Sequence, residues 1–188
     1  MPARIPMTAK QREALLALPM TEEEVIAHHS LDENERAAIA RLRSPANQLG
    51  YALQLCCLRF PGRYLRRGAL LPAIMLDHVA EQIDVDADDI ADFAKRGPTR
   101  YEKLASIKRN HEFVDLTHPV RAELKQWLEA EALSCTDGRL LLERLIARMR
   151  ERKIIIPGVS VIERLTASAM HAADAKVASE ILAQLNTE

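Results

Sequence analysis

The sequence predicts an all-α protein of about ten helices, arranged as two small helix-turn-helix-like subdomains. Three observations carry that expectation. Aromatic residues make up only 4% of the 188 residues while apolar residues reach 48%, a balance dominated by Ala and Leu that favours helices over a β-sandwich. Helix-capping residues stand ahead of one apolar-periodic stretch after another. Glycine and proline, 6 and 9 in number, fall between those stretches and break them.

Taken in order, Thr8 caps "AKQREALLAL", which Pro19 ends. Thr21 and Glu24 form a capping box for "EEEVIAHH", and Asp32 caps "ENERAAIARLR". Ser44, followed by Pro45 at the first helical position, starts "ANQLGYALQLCCLRF". That stretch is the most apolar of the first half and is expected to be its central helix. Gly50 in its interior costs about 1 kcal/mol of helix propensity against Ala, which a close crossing at that point would explain. Pro61-Gly62 stops the helix, and Pro72 opens "AIMLDHVAEQID". Asp86 caps "ADDIADFAK", Thr99 caps "RYEKLASIKRNHEF", Thr117 precedes "HPVRAELKQWLEAEAL", and Asp137 caps "GRLLLERLIARMRERK". The run "IIIPG" at 154–158 reads as a buried extended segment. Ser160 caps the last helix, where Val161, Leu165, Ala169, Ala173, Val177, Ile181 and Leu185 recur at spacing four. The expected boundary divides residues 1–90 from residues 91–188.

The net charge is only −1, yet the charge is sorted along the chain. From Arg36 through Leu76 there are seven arginines and no acid; from Asp77 through Ala94 there are seven acids and no Lys or Arg. From Lys95 to Arg109 there are six bases against Glu102 alone. Sorted charge along a chain points to sorted charge on a surface, and so to a charged partner. Guanidinium groups grip phosphates bidentately and stay ionised, so nucleic acid is the partner this pattern suits.

The first basic block offers Arg41, Arg43, Arg59, Arg63, Arg66 and Arg67, with Tyr64 interleaved and the amides of Asn47 and Gln54 available to base edges. Gln54 lies in the apolar helix, where a buried role competes with a reading one. The second offers Lys95, Arg96, Thr99, Arg100, Lys103, Lys108 and Arg109, with Arg100, Lys103 and either Ser106 or Ile107 in helical register. Arg148 and Arg152, four apart in the third block, make a candidate backbone-contacting edge, although basic residues late in a helix also complement its dipole.

Other function classes find little footing. The six histidines are scattered, with no HExxH pair, phosphate-cradling glycine loop or nucleophile elbow. "DVDADDIADF" lacks the glycine and closing glutamate of a calcium loop. The three cysteines, Cys56, Cys57 and Cys135, fit neither a disulfide framework nor a zinc site and are expected as buried thiols. No cofactor, metal or catalytic residue is expected. No membrane span or signal peptide is read from the sequence, and the expected location is the cytoplasm, in association with the bacterial nucleoid.

The stretch "NQLGYALQLCCLRFPGRYLRRGALLP" resembles the N-terminal region of replicative transposases of the Tn-three family. That region carries an N-x-L-G-[FY]-A-L-Q-L-C-x-L-R-x-P-G-R run, matched here by Asn47, Leu49 to Cys56, Leu58, Arg59 and Pro61 to Arg63. "TAKQREALLALP", "VAEQIDVDADDIADFAKRGPTRYEKLASIK" and "ERKIIIPGVSVIERL" resemble the same family in the same order. Gln48 departs from a position that is often basic. The resemblance implies that helical domains here bind double-stranded DNA at the transposon's terminal inverted repeats. It also implies that the catalytic DDE domain, with its divalent metal, lies elsewhere in a much longer protein, together with any regions that form a homodimer. The competing expectation is a helical interaction or dimerisation module without DNA contact, for which the repeating apolar edge of the last helix speaks.

Overall fold

Ser44 and Pro45 start the helix around which the first part of the chain folds. The computed structural model describes residues 5–65, 68–93 and 97–185. Its helices are α1 (Ala9–Ala14), α2 (Glu22–His29), α3 (Glu33–Ala40), α4 (Pro45–Arg59), α5 (Ala73–Gln82), α6 (Ile90–Phe93), α7 (Gly97–Asn110), α8 (His118–Ala132), α9 (Gly138–Glu151) and α10 (Val159–Leu185), with a 3-10 turn at Ala87–Asp89. The described residues contain no β-strand. The protein is all-α.

The caps explain most helix starts. The Thr8, Thr21 and Asp32 side chains each accept from the backbone N–H three residues on, and Gln11, Glu24 and Glu35 reciprocate. Ser44 accepts from the Asn47 N–H, and Asp137 from those of Arg139 and Leu140. Two starts differ from expectation. α7 begins at Gly97, so Thr99 lies inside its first turn, and α10 begins at Val159, so Ser160 is inside that helix. α1 stops at Ala14, well before Pro19, because none of its residues is buried and a six-residue helix has little to sustain it.

The chain divides into two compact units, Leu16–Val114 and Met1–Leu15 with Asp115–Glu188. The expected division at 90/91 therefore falls inside the first of these, and the N-terminal segment joins the C-terminal unit.

In the Leu16–Val114 unit, α4 packs against α2, α3, α5, α6 and α7. Every residue of α4 from Leu49 to Leu58 is buried. Leu49, Leu53 and Leu55 are buried in this unit along with Val25, Ile39, Met75, Val79 and Ile107 from the helices packed on α4, each large side chain contributing about 1.5–3 kcal/mol by leaving water. The cost of Gly50 has a visible reason: a Cβ there would overlap the ring of Phe93 on α6. Gly62, at φ 97°, supplies the left-handed turn after α4, and its N–H and that of Arg63 both donate to the Cys57 carbonyl. Cys56 and Cys57 are buried thiols, and burial pushes the Cys57 thiol up to about 12.

In the other unit, α10 packs on α8 and α9. Leu124, Leu128, Leu141, Leu142, Leu145, Met149, Ile162 and Leu165 form its core. Ile154, Ile155 and Ile156 are buried and non-helical, as "IIIPG" implied. Arg12 on α1 pairs with Glu163 on α10 at 2.8 Å. The buried stripe of α10 ends at Ala173, and every described residue beyond it is exposed.

Candidate nucleic-acid interface

The corner between α3 and α4 is built by capping at both sides. Ser44 and Pro45 open α4, while the Gln48 amide donates back to the carbonyl oxygens of Ala40 (3.3 Å) and Leu42 (3.0 Å). The Gln48 side chain thus closes the end of α3. Arg36, Arg41 and Arg43 are exposed around this corner and make no ion pair among the described residues.

Arg59 behaves differently. At the end of α4 its guanidinium pairs with the buried Glu35 carboxylate and donates to the Ser30 carbonyl at 3.1 Å. His111 Nδ1 lies 3.6 Å from the same carboxylate. The expected phosphate contact at Arg59 is met instead by an internal ion pair. Asn47 is likewise engaged: its Oδ1 accepts from the Lys103 ammonium. That ammonium also stands 4.9 Å from the centre of the Phe93 ring, and burial pulls it down to about 8. Lys103 therefore points into the unit, and Ile107, one turn on, is fully buried. Gln54 is also buried, with neither amide atom hydrogen-bonded, so it faces the core.

Arg63, half-buried, and Tyr64 line an apolar cavity of about 190 Å³ together with Leu16, Leu18, Cys57 and Leu65. Arg66, Arg67, Lys95 and Arg96 lie outside the described residues. Thr99 and Arg100 are in the first turn of α7, and their side chains also lie outside them. Lys108 is half-buried, whereas Arg109 is exposed and makes no ion pair among the described residues.

The third basic block is largely neutralised by neighbouring acids. Arg148 pairs with Glu151 (2.7 Å) and stands 5.8 Å from the centre of the Trp127 ring; Arg152 pairs with Glu123 (2.7 Å), and Arg144 with Glu131 (3.0 Å). These exposed pairs are weak, but they cut the net positive field the edge presents.

Arg36 belongs to the first basic block by sequence without being an expected contact, and the structure leaves it exposed; Asn110, at the end of α7, is exposed as well. No three His, Cys, Asp or Glu side chains among the described residues are arranged to hold a metal ion. No described helix is long and apolar enough to cross a membrane.

Residues 7–169 match the family described as "domain of unknown function (DUF4158)". The chain belongs to the DUF4158 family. Over 94% of its length it is 33% identical to the transposase for transposon Tn21 and 34% identical to that for transposon Tn3926, both from Escherichia coli. Over the same share it is 29% identical to the transposase for transposon Tn501 from Pseudomonas aeruginosa. The chain spans 18% of the length of each of these relatives. The family match covers the α3–α4 corner and α7 alike.

Proposed function

We propose that this chain binds double-stranded DNA at the terminal inverted repeats of a transposon, as the front part of a transposase whose catalytic chemistry lies elsewhere in the longer protein. The observation that carries the reading is the α3–α4 corner, where Arg36, Arg41 and Arg43 are exposed without an acidic partner among the described residues. A duplex rewards such groups by releasing counterions from its phosphates. The transposase relatives support the choice of duplex: a transposon end is the duplex a transposase must find.

The test is a gel-shift titration of the chain against a transposon-end duplex and a scrambled duplex of equal length, repeated across salt concentrations. Tighter binding to the end duplex, falling steeply with salt, supports the reading. Equal affinity for both, or a flat salt response, removes it.

A second reading has its own observation. Val177, Ile181, Leu182 and Leu185 on α10 are 43%, 52%, 60% and 66% exposed, and an apolar edge of that kind suits a helical partner. Light scattering separates the two: a monomer that binds the end duplex supports DNA recognition, and an obligate dimer without DNA affinity supports an interaction module.

A further inference from the structure

Most helices of the Leu16–Val114 unit are poorly suited to a DNA groove. α4 is buried from Leu49 to Leu58. α2 opens with Glu22, Glu23 and Glu24, and the exposed side of α5 carries Asp77 and Glu81; both would repel phosphates. α7 differs. Glu102, Ala105, Arg109 and Asn110 are exposed and Ser106 is half-exposed. At 100° per residue, these five lie within an arc of about 140°. On the same wheel Lys103 and Ile107 lie about 20° and 60° beyond Asn110, where the helix surface turns onto Asn47 and into the core.

We propose that this outward face of α7 reads base edges in the major groove, with Arg109 and Asn110 as the reading side chains. The inference rests on the DNA-binding reading above and assigns its specificity. Ala105 and Ser106 are small enough to let the helix approach the base pairs. Arg109 has the fork that pairs with guanine O6 and N7, and Asn110 the amide that pairs with adenine N6 and N7. Asn110 Nδ2 is held by the Ser106 hydroxyl at 3.3 Å, a single exposed bond that a base can replace. Glu102 accepts from cytosine N4 and, as the lone acid on the face, is the side chain that disfavours wrong bases. The Lys103–Asn47 contact brings the middle of α7 against the first turn of α4, beside the corner that carries Arg41 and Arg43. Those arginines then hold phosphates while α7 lies in the groove.

The experiment selects duplexes with a randomised centre on the chain, then repeats the selection with Arg109→Ala, Arg109→Lys, Asn110→Ala and, as a backbone control, Arg41→Ala. Circular dichroism melts establish that each variant is folded. The parent is expected to enrich a defined motif. Arg109→Ala and Asn110→Ala should each lose preference at one position, with discrimination falling roughly 5- to 100-fold. Arg109→Lys should lose the same preference while keeping the parent's salt dependence, because it retains the charge and not the fork. Arg41→Ala should weaken all duplexes alike. Unchanged motifs in the Arg109 and Asn110 variants overturn the assignment, as does a parent that binds duplexes with normal salt dependence but enriches nothing. A parent that binds no duplex overturns the DNA-binding reading as well.

Discussion

The Arg59 guanidinium turns inward onto the Glu35 carboxylate rather than outward to solvent. Glu35 serves three neighbours at once: it accepts from the Asp32 N–H at the cap of α3, pairs with Arg59 and lies 3.6 Å from His111 Nδ1. The ion pair therefore joins α3 to the end of α4, and its partner acid is buried while Arg59 itself is partly exposed. Removing one partner leaves the other uncompensated.

Arg59→Ala is accordingly expected to lower the unfolding free energy by about 2–3 kcal/mol, less than the roughly 3–5 kcal/mol for breaking a fully buried pair, because Arg59 is partly exposed. Urea denaturation measures this. Pairing Arg59→Gln with Glu35→Gln should recover part of the loss, since no charge is then stranded. A stability change under about 0.5 kcal/mol, typical of an ordinary surface arginine, would show that the pair contributes nothing.

Gly50 and Phe93 make a second testable contact. Gly50→Ala gains about 1 kcal/mol of helix propensity but forces the Phe93 ring aside, at about 1–3 kcal/mol for overpacking. The net expectation is a loss of up to about 2 kcal/mol. In a Phe93→Leu background the same substitution should turn neutral or stabilising. Thermal melts of the four proteins of this cycle give the coupling directly, and additive effects would mean that the ring does not set the requirement for glycine.

His29 gives the fold a pH response. Its Nε2 faces the Phe60 carbonyl at 2.9 Å, so that nitrogen carries the proton, and its Nδ1 is buried without a partner. Burial, with the nearby His28, His78 and Arg59, holds the imidazole below its ordinary value. A base whose folded pKa is depressed adds nothing to the pH dependence well above its unfolded value. It costs stability as pH falls through that value, about 6.5, towards the folded one. Stability should thus decline between pH 7 and pH 5, and less so in His29→Gln, which keeps a donor for Phe60. Equal declines in both proteins would assign the response to other groups.

The fold was largely legible because its signals are local. Thr8, Thr21, Asp32, Ser44 and Asp137 cap where their side-chain chemistry says they should, and the apolar stretch around Leu53 became the buried centre of its unit. Gly50 even announced a close contact, though not that Phe93 makes it. The candidate interface was less legible because a sequence of charges carries no direction. Arg59 and Arg41 look alike in the chain, yet one meets a carboxylate 24 residues earlier and the other meets solvent. Lys103 and Arg109 share α7, but the Asn47 amide turns only the former inward. A related ambiguity attends the acidic stretch, which reads as a linker in sequence yet packs on α4 through Phe93.

Arg41 and Arg43 provide the sharpest quantitative check on DNA binding. Each phosphate contact contributes about −0.9 to the slope of log K against log salt on a duplex. Arg41→Ala and Arg43→Ala should each make that slope shallower by about 0.9, and the double variant by about 1.8. Their effects should be the same for transposon-end and scrambled duplexes, because a phosphate contact carries no sequence information. Arg152→Ala, which removes a residue already paired with Glu123 at 2.7 Å, should leave the slope nearly unchanged. Fluorescence-anisotropy titrations at four or more salt concentrations supply all of these slopes. If Arg152→Ala flattened the slope while the two corner variants did not, the phosphates would have to be gripped by the C-terminal unit, and the α3–α4 corner would lose its part in the interface.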